Sequence, residues 1–131
     1  MIALDTNVVL RLLIEDDSDQ FNCVKRLMLK LDEDFEDAVI TDNTLSEVVW
    51  VLDTTYKASK DEIIIALQAL EGVLGFTIAS PTRFHNALNA YITGKGDFAD
   101  YLLREQAIEV GCRAVATFDK ALLKEEGFFK P

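Results

Sequence analysis

Apolar positions along this chain follow two rhythms, short unbroken runs and longer stretches at helical spacing. Ile2-Ala3-Leu4 is an apolar run stopped by Asp5, which predicts a short buried strand. Asn7 to Leu13 predicts a helical turn or two. Phe21, Val24, Met28 and Leu31 then recur at helical spacing behind Ser18, a residue able to cap that helix. Asp32-Glu33-Asp34 ends it. Ala38 to Thr41 predicts a second strand, followed by Asp42-Asn43-Thr44 as turn and cap. Leu45, Val48, Val49, Leu52 and Tyr56 fall at i, i+3, i+4, i+7 and i+11, the stripe of an amphipathic helix.

The second half repeats the alternation. Ser59 and Glu62 fit a capping box ahead of Ile63, Ala66, Leu67 and Leu70. Gly72 and Gly75 bracket the end of that helix. Phe76 to Ala79 predicts a third strand, and Ser80-Pro81 starts a helix with Pro at its first position. Gly94-Lys95-Gly96 separates it from another helix that begins at Asp97 or Phe98 and ends near Gly111. Arg113 to Thr117 predicts a fourth strand, Asp119 to Glu125 a short helix, and Phe128-Phe129 a last strand. Strands separated by helices imply crossover connections and a parallel sheet. The expectation is one α/β domain over residues 1–131, a three-layer α/β/α sandwich around a four- to five-stranded parallel sheet.

Composition changes that picture in one respect. The formal net charge is −10, the reverse of the basic footprint usual for nucleic-acid binding. Solubility explains such acidity, and so do acids that hold cations. Cys23 and Cys112 are far apart and form no CxxC, so two buried thiols in a reducing compartment are expected. The Met and Phe residues read as core. No basic segment followed by an apolar core opens the chain, and its longest uncharged apolar run is too short for a bilayer. A soluble cytoplasmic protein without a membrane partner is expected.

Five acids sit where strands give way to helices: Asp5, Glu47, Asp97, Asp100 and Asp119. In a parallel sheet those junctions share one edge, where ligand sites form. Each acid also has a local explanation. Asp5, Asp97 and Asp119 can be N-caps, and Glu47 can close a capping box with Thr44. Capping does not explain their concentration at one edge, whereas Mg²⁺ or Mn²⁺ binding does, since hard cations prefer oxygen ligands. Bound metal can activate water toward a phosphodiester without a His or Ser base. The sole histidine, His85, lies in an ordinary helical stretch.

The segments DTNVVLRLL, SEVVWVL, GDFADYLL and VATFDK together resemble the PIN-domain family, and in particular its VapC toxins from bacterial VapBC toxin–antitoxin pairs. The resemblance spans essentially the whole chain. It implies a PIN-like sandwich, a divalent metal (Mg²⁺ or Mn²⁺) and RNA as substrate of a ribonuclease. It also implies a homodimer and a cognate VapB-like antitoxin as partner. Asp5, Asp97, Asp100 and Asp119 take the metal positions, Glu47 orients or deprotonates the attacking water, and Thr117 positions an acid or water. Tyr101 departs from the family's more usual Ala and is expected to shape the pocket rim.

Three further expectations concern the surface. Arg11, Lys57, Lys60, Arg83, Lys95, Arg104 and Lys120 are candidates for phosphate contacts, with Lys95 and Lys120 nearest the acidic motifs. Trp50 can stack a base or pack at an interface, the latter being preferred. Ile63-Ile64-Ile65 exceeds what one helix face buries, which suggests a partner surface. Two other classes compete: a non-catalytic PIN-like module, and a phosphoacceptor receiver domain. The receiver needs an acidic pair ending its first strand, but Asp5 is followed by Thr6.

Overall fold

Three of the apolar runs pair edge to edge as parallel strands. In the computed structural model, which describes residues 1–72 and 74–131, β1 (Ile2–Ala3), β2 (Ala38–Ile40) and β3 (Thr77–Ile78) form a sheet in the order β1-β2-β3. Ile2 aligns with Ala38 and Ala3 with Val39, and Val39 and Ile40 align with Thr77 and Ile78. The strands are brief because each run is only a few residues long before a capping residue turns the chain into a helix. The connections are α1 (Thr6–Leu13), α2 (Ser18–Glu33), α3 (Asp42–Thr54) and α4 (Lys60–Glu71). These elements make one compact unit, Met1–Ala79.

Its core is the set the helical and strand spacing picks out. Val9, Ile40, Leu45, Val48, Leu67 and Leu70 are fully buried. Burial of such side chains contributes about 1.5–3 kcal/mol each. Two polar residues are buried with them, Thr6 and Thr44. The Thr44 hydroxyl donates to the Leu4 carbonyl at 3.1 Å, which ties the start of α3 to the end of β1.

The second unit, Ser80–Pro131, contains α5 (Pro81–Thr93), α6 (Phe98–Glu109), β4 (Val115–Ala116), a 3₁₀ turn (Leu122–Lys124) and β5 (Phe128–Phe129). Ser80 caps α5, with Pro81 at its first position. β4 and β5 pair in parallel, Val115 opposite Phe128 and Ala116 opposite Phe129. Aromatic rings make much of this core. Phe84 and Tyr91 each meet Phe98 edge-on, at centroid distances of 6.4 and 5.9 Å, and Tyr101 meets Phe128 at 6.5 Å. Such edge-on contacts suit the ring quadrupoles.

The element order and parallel pairing agree with the sequence pattern, and several details differ. The five strands divide into a three-stranded and a two-stranded sheet rather than one ladder. The amides of Val115 and Thr117 are taken by the carbonyls of Gly127 and Phe129. The α2 helix is capped by Asp17, whose carboxylate accepts from the Gln20 amide, not by Ser18. The segment after Asp119 is a three-residue 3₁₀ turn rather than an α-helix. Cys23 and Cys112 are free but exposed, not buried. Phe35, Phe118 and Met1 are exposed rather than core. Trp50 is 66% exposed and Ile65 65%, so the structure leaves both rings and branches outward while Ile63 is buried. Among the described residues no helix is long and apolar enough to cross a membrane.

Candidate active site

The five acids fall into two sets, one in each unit. In the first, Asp5 follows β1 directly and is the N-cap of α1. Its carboxylate accepts from the Thr6 amide at 2.7 Å. The Thr6 hydroxyl in turn donates to Glu47 Oε2 at 2.6 Å. A charge-assisted bond this short fixes both partners. Glu47 is therefore held beside the end of β1 by the residue that follows Asp5.

This geometry removes the capping explanation for Glu47. The N-cap of α3 is Thr41, whose hydroxyl accepts from the Thr44 amide. Thr44 lies inside the helix with its hydroxyl on Leu4, so it cannot form a capping box with Glu47. Thr6 is the group that positions Glu47. Removing its hydroxyl in Thr6→Val leaves Glu47 free to rotate. The expected result is roughly a 10- to 100-fold loss of turnover, as for other groups that orient a site residue. The melting temperature should move by only a few degrees, which separates positioning from folding.

In the second unit, Asp97 occupies the N-cap position of α6. Asp100, one turn on, accepts from the Asp97 amide at 2.9 Å. Thr117 follows β4, and its hydroxyl accepts from the Asp119 amide at 3.1 Å. Asp119 Oδ1 accepts from the amides of Ala121 and Leu122. Thr117 thus fixes the turn on which Asp119 stands. Burial raises the Asp100 carboxyl above its ordinary range, and the carboxylates of Asp97, Asp119 and Glu125 add to this, while the Asp97 amide partly offsets it. The carboxylates of Asp97, Asp119 and Glu125 therefore all act on Asp100.

Glu125 is the member that sequence reading missed. Its Oε1 accepts from the Lys95 amide at 2.8 Å and its Oε2 from the Tyr101 hydroxyl at 2.6 Å. That hydroxyl also accepts from the Gly96 amide at 3.0 Å. Tyr101 is 1% exposed, so it is an internal clamp rather than a pocket rim. Glycine is required at position 94, where a Cβ would lie 1.9 Å from the Tyr101 oxygen. The clamp sets the loop that leads into Asp97.

A family model described as PIN domain matches residues 2–125. The chain belongs to the PIN domain family. PIN domains are generally nucleases, hydrolases of nucleic acids, and typically use divalent metal ions. No curated protein matches this PIN domain significantly.

The residues of this PIN domain suit a hard cation by donor chemistry. The acids offer only oxygen, and a cation near Asp100 would offset both its desolvation and its like-charged neighbours. Among the described residues, no three or more His, Cys, Asp or Glu side chains are already arranged to hold a metal ion. Arg11, Arg83 and Arg104, among the candidate phosphate contacts, are engaged elsewhere. Arg11 pairs with Asp16 at 2.6 Å and Arg83 with Glu109. Arg104 donates to the Glu126 carbonyl and lies over the Tyr101 and Phe128 rings. Lys95 and Lys120 are exposed beside the acids.

Proposed function

We propose that this PIN domain is a divalent-metal-dependent endoribonuclease and the toxin of a type II toxin–antitoxin pair, resembling VapC. The observation that carries the nuclease reading is the hydrogen-bonded Thr6–Glu47 pair next to Asp5, matched in the second unit by the carboxylates around Asp100. Asp5, Asp97, Asp100 and Asp119 would hold Mg²⁺ or Mn²⁺. When bound, such an ion supplies positive charge for the phosphodiester's developing negative charge and acidity for the attacking water.

The chain's own groups do the rest. Glu47, steadied by Thr6, accepts a proton from the water as it attacks phosphorus in line. Thr117 keeps Asp119 in place through its amide. Lys95 and Lys120 grip flanking phosphates and counter the chain's net repulsion of RNA. The partner proposals rest on the motif resemblance: a VapB-like antitoxin, a homodimer and a cytoplasmic setting. Exposed Trp50 and Ile65 are compatible with such an interface.

Induced expression in a bacterial host tests the toxin reading. Growth should stop, RNA with new 5′ ends should accumulate, and Asp5→Asn should abolish both. Normal growth with intact RNA would refute it. A non-catalytic PIN-like module is the second reading, favoured by the lack of a ready-made metal cluster among the described residues. A thermal melt separates the two, because an ion bound only by the folded chain raises its stability. At Mn²⁺ about 100-fold above Kd the nuclease reading predicts a gain of about 2.7 kcal/mol. No shift at millimolar Mn²⁺ would favour the module.

A further inference from the structure

Two phenylalanines are largely exposed, Phe35 and Phe118, and only Phe118 adjoins the candidate site in the chain. Phe76, Phe84, Phe98 and Phe128 are buried, whereas Phe118 is 76% exposed. Its position in the chain is between Thr117 and Asp119, both in the candidate site. Its backbone is pinned on each side. The Thr117 amide donates to the Phe129 carbonyl at 2.9 Å, and the Asp119 amide donates to the Thr117 hydroxyl at 3.1 Å. Asp119 then holds the Ala121 amide at 2.9 Å. The ring is therefore carried by a fixed turn with nothing packed over most of it. Two residues further along the chain is the exposed Lys120.

We propose that Phe118 is a stacking seat for one unpaired nucleobase next to the scissile phosphate, with Lys120 gripping the adjoining phosphate. The inference rests on the nuclease reading and deepens it by making the substrate single-stranded at that nucleotide. An aromatic face accepts any base, because every base has a π-face. A duplex keeps its bases stacked on each other and offers no such face. A pinned aromatic loses little conformational freedom on stacking, having only two side-chain torsions. A protein partner covering Phe118 would also cover Asp119, its neighbour in the chain and an acid of the candidate site.

The test uses the full chain with Phe118→Ala, Phe118→Leu and Phe118→Trp, and a labelled single-stranded RNA in Mn²⁺. Phe118→Ala and Phe118→Leu should each raise KM about 10- to 100-fold with kcat within a few-fold, and Phe118→Trp should retain the parent's KM. The complementary duplex should be cut poorly by parent and variants alike. An unchanged KM in Phe118→Ala, or full function with Leu, overturns the seat. Binding is read separately in the Asp100→Asn background, using RNA that carries 2-aminopurine. Stacking should quench its fluorescence with Phe118 present and not with Ala. If the parent cuts no RNA, the nuclease reading fails. If the parent cuts but the Ala variant binds and quenches equally, the seat alone fails.

Discussion

Asp100→Asn is expected to leave a more stable protein that no longer cuts RNA. The Asp100 carboxyl is raised first by burial and then by the carboxylates of Asp97, Asp119 and Glu125. A carboxyl raised on folding favours the folded state while both states are protonated, and that contribution is lost as pH rises through the ordinary and then the raised value. At neutral pH the ionised group opposes folding. Asn removes the charge, and its carbonyl oxygen can still accept from the Asp97 amide. Solvent screening keeps the gain below about 1 kcal/mol, a rise of a few degrees in melting temperature. The difference from the parent should close as pH falls through the carboxylate range. Activity should drop by at least about 100-fold, equivalent to roughly 2.7 kcal/mol of transition-state stabilisation. Mn²⁺ should raise the parent's melting temperature far more than the variant's. A variant that is destabilised and active would reverse the roles given to this carboxylate.

Tyr101→Phe should produce the largest loss of stability among single-atom changes. The hydroxyl is buried, donates to Glu125 Oε2 and accepts from the Gly96 amide. Deleting it leaves a carboxylate oxygen and an amide without that partner. The expected cost is about 2 kcal/mol, or about 5 to 10 °C in melting temperature. Burial, and then the bond to Glu125, push the Tyr101 hydroxyl up to about 12. The sign of the linkage follows. Between about pH 10 and 12 the unfolded chain ionises this tyrosine while the folded chain does not, so the parent loses stability there. The Phe variant lacks that component of the alkaline loss. Because the clamp also sets the loop before Asp97, turnover should fall with it. A melt unchanged from the parent would show that the clamp does not hold this loop.

The two substitutions also mark what was legible in the sequence. The order of strands and helices follows from periodicity alone, because apolar runs and helical stripes alternate without interruption. Helix starts were less certain wherever several capping residues adjoin. Thr41, Asp42, Asn43 and Thr44 can all cap, and the bond from the Thr44 amide to the Thr41 hydroxyl decides for Thr41. Asp17 and Ser18 pose the same choice at α2. Of the five acids expected at strand ends, only Asp5 and Asp119 follow strands; Asp97 and Asp100 open α6, because Gly94-Lys95-Gly96 joins two helices, and Glu47 lies within α3. Glu125 was not legible, since it follows a 3₁₀ turn with no periodic signal and acts through Lys95 and Tyr101. Phe118 was hidden by its type, as hydrophobicity assigns phenylalanine to the core.

These carboxylates are proposed to serve a metal-dependent cut in RNA. Incubating the purified chain with labelled single-stranded RNA in Mn²⁺, in Mg²⁺ and in EDTA, beside Asp5→Asn, tests it most directly. Defined cleavage products are expected with either ion, none in EDTA, and at least about a 100-fold loss for Asp5→Asn. Cleavage that proceeds equally in EDTA, or survives Asp5→Asn unchanged, would contradict it.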